Sequence, residues 1–592
     1  MNIINARVED LRRAMADAGV DGWIINGTDP HQSEYVPERY RSRAFISGFT
    51  GSAGFVLVTK DKALLWVDSR YFLQAEEQIS GTVFEMMKID TPSYPDPYTY
   101  LKTNLAKGSV IGIDEATIPV SERERIEGIF RNTLTLKPME DILDTVWTDR
   151  PALPEYEVVE VPVEYAGSSM KEKLEQVRTL MIEAGATHLL LSTLDDIAWL
   201  TNLRGRDILY NPLFMGYMLI STERACLYTS EKRFTEQLRA RLEEDLAIQP
   251  YARLQKDLSS LWKHAALYYN PQKTSVMVAK SFGSYEKIEG REFTTDLKAQ
   301  KNEVELEGMR RAHLLDGVAL VNFLGRLDAK NGSYTELELA ERLLDERSRN
   351  EHFLGESFNA ISGFGAHGAI VHYAADEESN AKVEGNGLLV LDTGGSYAFG
   401  TTDVTRTVLF GKPTEEQIRD YTLVLKGHLA LASARFPEGT NGYQLDVLAR
   451  QHLWQEGLSY FHGTGHGVGF RLNVHEGPQS ISPKPIVAPL KEGMIVSDEP
   501  GIYRSGSHGI RIENLLAVQE DGQTEFGTFY SFEVLTLCPF ERDLIDPDML
   551  TGEEVEMVDA YHAWVYDELY ELIDDEAVEY LEYATRSLLG EE

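Results

Sequence analysis

A stretch near the start of this 592-residue chain comes back later. Met15-Ala-Asp-Ala-Gly-Val-Asp-Gly-Trp-Ile-Ile25 aligns with Met181-Ile-Glu-Ala-Gly-Ala-Thr-His-Leu-Leu-Leu191 at an offset of 166 residues, and Asp29 falls on Asp195 at the same offset. Further on, Phe55–Val67 resembles Tyr217–Thr229 in pattern, each with two β-rich runs around a polar turn. In both copies an amphipathic helix stops at an Ala-Gly pair, at Gly19 and Gly185, and an apolar strand follows. The first half of the chain is therefore expected to be one α/β domain written twice.

The spacing of breakers and helical patterns divides the rest. Asp149-Arg-Pro-Ala-Leu-Pro-Glu-Tyr156, with Pro162 close by, cannot continue a helix and reads as a linker. Near Lys298 the pattern changes again: Leu306, Met309, Leu314, Val318, Val321 and Leu324 recur at steps suited to one helix face. The expected domains are 1–150, 151–298 and 299–592, the last with a helical extension from about 540. Thr335 with Glu338, Thr414 with Gln417 and Thr551 with Glu554 are capping-box pairs that mark helix starts.

The third domain is itself expected to have two halves. Helices over about 302–328 and 335–349 precede the strands Leu388–Asp392 and Thr402–Val408; helices over about 414–434 and 443–456 precede Met494–Glu499 and Gly509–Glu513. Each half ends in two acids, Asp392 with Asp403 and Glu499 with Glu513. Glycines at 394, 395 and 400 permit a reversal near Tyr397 that sets the first pair side by side, and Gly506 and Gly509 do the same for the second. Carboxylates at the ends of apolar strands are costly to bury unless a cation pairs them, and a metal pair would supply that charge. His462 and His466, four residues apart in a glycine-rich segment, add imidazoles on one face. His372 and His475 are further candidates.

Charge and cysteine content exclude other classes. With 57 basic against 95 acidic side chains the net charge is −38, which repels phosphate backbones and anionic lipid surfaces, so neither nucleic acid nor membrane is an expected partner. Cys226 and Cys538 are too few for a disulfide framework. No run of ~18 apolar residues and no signal-like N-terminal segment occurs, and a cytoplasmic location is expected.

In its last domain the sequence resembles the pita-bread metallopeptidases, and over nearly its whole length it is similar to the long, three-domain Xaa-Pro aminopeptidases (aminopeptidase P). The motifs that carry the resemblance are Asp29–Tyr35, Ile46–Gly54, Asp68–Gln74, Leu194–Leu200, Asn202–Gly205 and the five metal motifs. Two departures stand out: Ser69 replaces the usual glycine of Asp-Gly-Arg, and Phe399 replaces an aspartate before Gly-Thr-Thr-Asp. Neither is a ligand position. The implied fold is two creatinase-N-like α/β domains followed by a pita-bread catalytic domain.

The resemblance implies a dinuclear site held by Asp392, Asp403, His466, Glu499 and Glu513, with Asp403 and Glu513 bridging. It also implies two Mn²⁺ ions. Four carboxylates and an imidazole suit that metal, while ligand type alone leaves Co²⁺, Zn²⁺ and Fe²⁺ open. The implied activity is release of the N-terminal residue from peptides with proline second, by attack of a metal-bridging hydroxide. Glu499 is then the general base, His462 steadies the carbonyl oxygen, His372 and His475 line the cleft, and Arg70 and Arg511 contact the peptide. Thr405, on the strand face of Asp403, is expected to orient it. A homodimer built partly by the C-terminal helices is also implied. The alternatives are prolidase, acting on Xaa-Pro dipeptides, and a non-catalytic pita-bread binding protein.

Overall fold

The computed structural model describes residues 2–89, 91–486 and 488–590. The chain forms two compact units, Met1–Glu160 with Ser168–Thr294, and Val161–Gly167 with Thr295–Glu592.

In the first unit, helix α1 (Ile3–Ala18) buries Ile4, Val8, Leu11 and Met15, the one-face spacing of an amphipathic helix. It ends where Gly19 turns left-handed at φ +67°. Six strands follow: β1 (Gly22–Ile25), β2 (Phe55–Thr59), β3 (Ala63–Val67), β4 (Phe84–Lys88), β5 (Val110–Asp114) and β6 (Thr135–Met139), ordered 4-3-2-1-5-6. The second copy repeats the plan. Helix α2 (Met170–Glu183) starts at a capping box between Ser169 and Glu172, and Gly185 terminates it at φ +72°. Strands β7 (His188–Leu191), β8 (Tyr217–Ser221), β9 (Ala225–Tyr228), β10 (Ala247–Gln249), β11 (Ala266–Tyr269) and β12 (Glu286–Glu289) lie in the order 10-9-8-7-11-12, the first permutation moved on by six. Parallel and antiparallel pairings also match strand for strand. The duplication expected from the 166-residue offset is present in the topology.

The Asp29–Tyr35 motif joins the two copies. Asp29 Oδ1 accepts the N–H groups of His31 at 2.9 Å and Ser33 at 3.1 Å, forming the turn. His31 then reaches the other copy, with Nδ1 2.7 Å from the Ser192 carbonyl and Nε2 2.9 Å from the Tyr251 hydroxyl. Burial lowers its pKa, so the ring is neutral, donating through one nitrogen and accepting through the other.

In the second unit, helix α3 (Glu303–Gly325) starts at an Asn302–Glu305 capping box, and α4 (Glu336–Ser348) is capped by Thr335. The short segment Val161–Gly167 belongs here: Val161 and Ala166 pack with Leu306, Met309 and Phe399. Strands β13 (Ile361–Phe364), β14 (Gly387–Thr393) and β15 (Val404–Phe410) form an antiparallel sheet in that order. Strand β14 is apolar from Leu388 to Leu391 because both faces are covered there. Leu389 and Leu391 pack with Leu320, Phe323, Leu339 and Leu343, while Leu388 packs with Tyr421 and Val424. Each such leucine contributes about 1.5–3 kcal/mol by leaving water.

The second half repeats helix pair and sheet. Helices α5 (Glu415–Ala432) and α6 (Gly442–Gln455) both start at capping boxes, Thr414 with Gln417 and Asn441 with Gln444. Strands β16 (Gly465–Gly467), β17 (Glu476–Ile481) and β18 (Ile495–Asp498) precede a hairpin of β19 (Gly501–Arg504) and β20 (His508–Arg511). The long strands β21 (Asn514–Thr524) and β22 (Gly527–Val534) complete a sheet ordered Phe436–Pro437, β22, β21, β18, β16, β17. Helix α7 (Gly552–Leu569), with the expected Thr551–Glu554 capping box, and α8 (Asp575–Ala584) place Val565, Leu569, Ala577 and Leu581 against Val321 and Leu537. Among the described residues no helix is long and apolar enough to cross a membrane.

Candidate active site and metal centre

The four acids arrive in two strand pairs. Asp392 lies opposite Thr405 in the β14–β15 register, and Asp403 immediately precedes β15, brought back by the Tyr397–Gly400 hairpin. In the second half Asp498 faces Asn514 across β18–β21, which puts Glu499 and Glu513 at adjacent strand ends. One backbone bond stitches the halves together, from the Glu513 N–H to the Thr405 carbonyl at 3.1 Å.

His466 sits in β16, whose place beside β18 depends on Gly465: a Cβ there would lie 1.8 Å from the Ser497 carbonyl oxygen. Its Nδ1 contacts the Gly467 carbonyl at 3.0 Å, which leaves Nε2 facing the acids, 3.3 Å from Asp403 Oδ2 and 3.6 Å from Glu499 Oε1. Asp403, His466 and Glu513 each offer a donor atom within 4.8 Å of the others.

The electrostatics are those of crowded acids. Burial pushes the Glu513 carboxyl well up, with Asp403, Glu499 and Asp392 adding to it. Burial likewise raises Glu499 to about 7, against the opposing fields of His466 and Arg511. For His466 burial disfavours the charge, yet the Asp403 hydrogen bond and the Glu499 field override it and lift the imidazole to about 9. A cluster that holds protons this tightly is under-supplied with positive charge, so the donor set fits divalent cations, which would displace those protons.

Several side chains take places other than those expected. Thr405 does not orient Asp403: its hydroxyl donates to Glu513 Oε2 at 2.8 Å, because the Asp392 pairing turns Thr405 toward the second half. Arg511, expected to contact peptide, is 1% exposed with its guanidinium committed inside the site. It donates to Asp392 Oδ2 at 2.5 Å, to Thr405 Oγ1 at 3.2 Å and to the Tyr503 hydroxyl at 2.8 Å. Tyr503, which the sequence did not single out, lies 2.8 Å from His462 Nε2, while His462 Nδ1 is 2.7 Å from the Gly463 carbonyl. Because a carbonyl can only accept, Nδ1 carries the proton, and Nε2 of the neutral ring accepts from the tyrosine, which itself accepts from Arg511. Both His462 nitrogens are therefore engaged, and contact with a substrate carbonyl requires exchanging one of these bonds.

His475, just before β17, packs its ring 4.3 Å from that of His466. His372 lies on the turn after the short helix Gly365–Ala369. Buried Glu336 gathers that segment, accepting from the Phe364 N–H at 2.8 Å, the Ala381 N–H at 2.9 Å and the Tyr373 hydroxyl at 2.8 Å. Arg70 lies in the first unit, where it forms a two-pronged pair with Asp68 at 2.8 and 2.9 Å.

Comparison with known proteins sets the class first. Residues 307–520 match the metallopeptidase family M24, with the C-terminal region of that family over 528–588. Residues 7–146 and 149–305 each match the creatinase/prolidase N-terminal domain. The architecture is thus two creatinase-type domains followed by an M24, pita-bread catalytic domain. Aminopeptidase P2 of Arabidopsis thaliana is 37% identical, over 97% of this chain and 87% of the relative. The X-prolyl aminopeptidase of Caenorhabditis elegans, described as a cytosolic enzyme with a di-nuclear active site, superposes with a TM-score of 0.95 at 34% identity, covering 99% of this chain and 100% of that one. The Xaa-Pro dipeptidase of Bacillus anthracis gives 0.52 at 25% identity and covers 63% of this chain and 99% of its own. The chain belongs to the Xaa-Pro aminopeptidase (aminopeptidase P) family of M24 metallopeptidases.

Proposed function

We propose that the chain is a metal-dependent Xaa-Pro aminopeptidase, removing the first residue of peptides whose second residue is proline. The observation that carries this is the full-length agreement with aminopeptidase P, both creatinase-type domains included, around a site where Asp403, His466 and Glu513 converge. A dipeptidase reading accounts for a smaller share of the chain.

The residues that would hold two metal ions are Asp392, Asp403, His466, Glu499 and Glu513. An oxygen-rich set of this kind favours Mn²⁺. When bound, the ions would polarise the scissile carbonyl and make the attacking water more acidic. The remaining work falls to side chains. Glu499 takes the water proton and passes it to the departing prolyl nitrogen. His462 supports the carbonyl oxygen as charge develops on it. His372 and His475 line the cleft, and the Asp68-Ser-Arg70 motif supports Arg70 as a peptide contact. Arg511 acts through Asp392, holding its carboxylate in place.

We place the enzyme in the cytoplasm, in keeping with its C. elegans relative. A homodimer fits an apolar strip on α6, where Tyr443, Val447 and Trp454 are 43–50% exposed. Metal-stripped protein should lose cleavage of an Xaa-Pro-Yaa peptide and regain it on adding Mn²⁺. Full activity after stripping would contradict the proposal, and a monomer in sedimentation at micromolar concentration would end the dimer reading.

A further inference from the structure

The loop that carries His462 lies between the end of α6 and β16, contains Gly457 and Gly463, and runs into Gly465, the first residue of β16. A segment of that composition has little reason to keep one shape. In this protein it is gripped by a buried ion pair within α6. Asp446 and Arg450 are each 3% exposed, although an Asp–Arg pair four apart on a helix ordinarily lies in solvent.

Every nitrogen of Arg450 is used. Nε and Nη2 donate to Asp446 at 2.6 and 3.1 Å. Nη1 donates to the Tyr460 carbonyl at 2.7 Å, and Nη2 also to the His462 carbonyl at 2.8 Å. Asp446 in turn accepts the Thr464 hydroxyl at 2.6 Å, and the guanidinium lies 3.9 Å from the centre of the Tyr460 ring. The backbone is thus held on both sides of His462, while Tyr503 holds its ring.

We infer that Arg450, aligned by Asp446, is a positioning residue that fixes His462 for the reaction. The inference rests on the functional reading given above for His462. A buried ion pair is poor evidence of stability by itself, since its desolvation can outweigh its attraction. What this pair supplies is a rigid fork of donors matched to the Tyr460 and His462 carbonyls, which a lysine cannot reproduce. A second route exists, because the Thr464 carbonyl accepts the Glu499 N–H at 2.8 Å. The two routes make different predictions: an effect through Glu499 would persist when His462 is absent, and one through His462 would not.

The test is a double-mutant cycle on the Mn²⁺-loaded enzyme, with Arg-Pro-Pro as substrate. Arg450→Lys should lower kcat about tenfold or more with KM little changed, yet cost less than about threefold in a His462→Ala background. A readout free of activity accompanies it. In protein labelled at histidine, the ring resonance that vanishes in His462→Ala should shift or broaden in Arg450→Lys, while that of His466 stays in place. An unchanged His462 resonance, or an additive cycle in an active wild type, overturns the positioning role. Wild-type protein that leaves Arg-Pro-Pro intact would instead overturn the functional reading, and the resonance alone then decides the positioning. If Arg450→Lys does not fold, Asp446→Asn goes through the same measurements; failure of both to fold would mark the pair as structural and refute the inference.

Discussion

Thr405 and Glu513 are bonded twice, hydroxyl to carboxylate at 2.8 Å and carbonyl to N–H at 3.1 Å, so a strand of the first half of the catalytic domain directly holds an acid of the second. Hydrogen bonds behind a metal ligand fix its direction and its basicity. Thr405→Val keeps the shape and removes the donor. It should weaken Mn²⁺ binding to stripped protein by about 10- to 100-fold in calorimetric titration. Unchanged affinity would show that Glu513 needs no such support.

Glu499→Gln retains an oxygen that can face a metal ion but cannot take a proton. The fall in kcat should be about 100- to 10,000-fold, with a smaller change in KM and with metal still bound. Near-normal turnover by this variant would remove Glu499 from the role of base.

A third prediction concerns acid stability and lies outside the active site. His562 on α7 is fully buried and accepts the Phe540 N–H through Nε2 at 3.1 Å, so the folded protein needs it neutral. Burial, with Arg406 adding to it, depresses its pKa from 6.5 to about 3. Below 6.5 the unfolded chain binds a proton that the folded one refuses, so this contribution to stability is complete above that pH and drains away down to about 3. Thermal unfolding followed from pH 7 to pH 4 should therefore show a shallower loss in His562→Gln than in the wild type, from a lower starting stability. Parallel curves would contradict it.

The course of the chain was open to reading where local rules act without competition. Gly19 and Gly185 close their helices, capping pairs open three others, and apolar β14 lies between two layers. The convergence of Asp403 and Glu513 on one site could be read because acids at the ends of apolar strands demand an explanation. Side chains that act through tertiary partners could not. Asp446 and Arg450 look like an ordinary solvated pair until the loop folds over them, and nothing around Tyr503 distinguishes it from a packing tyrosine. Thr405 shares a strand face with Asp403, as the two-residue spacing requires, but the partner it finds comes from more than a hundred residues away. Arg511 reads equally well as a surface cation or a peptide contact; only the fold shows it buried against Asp392.

The central claim is that the site removes one residue ahead of proline from a peptide longer than two. Proline presets φ and offers a compact apolar face, so a pocket shaped to it gains from pre-organisation that alanine lacks. The most direct measurement compares kcat/KM for Arg-Pro, Arg-Pro-Pro and Arg-Ala-Pro with Mn²⁺ present. The account predicts efficient release of arginine from Arg-Pro-Pro, far slower cleavage of Arg-Ala-Pro, and no preference for the dipeptide. A clear preference for Arg-Pro, or equal cleavage of the alanine peptide, would contradict it.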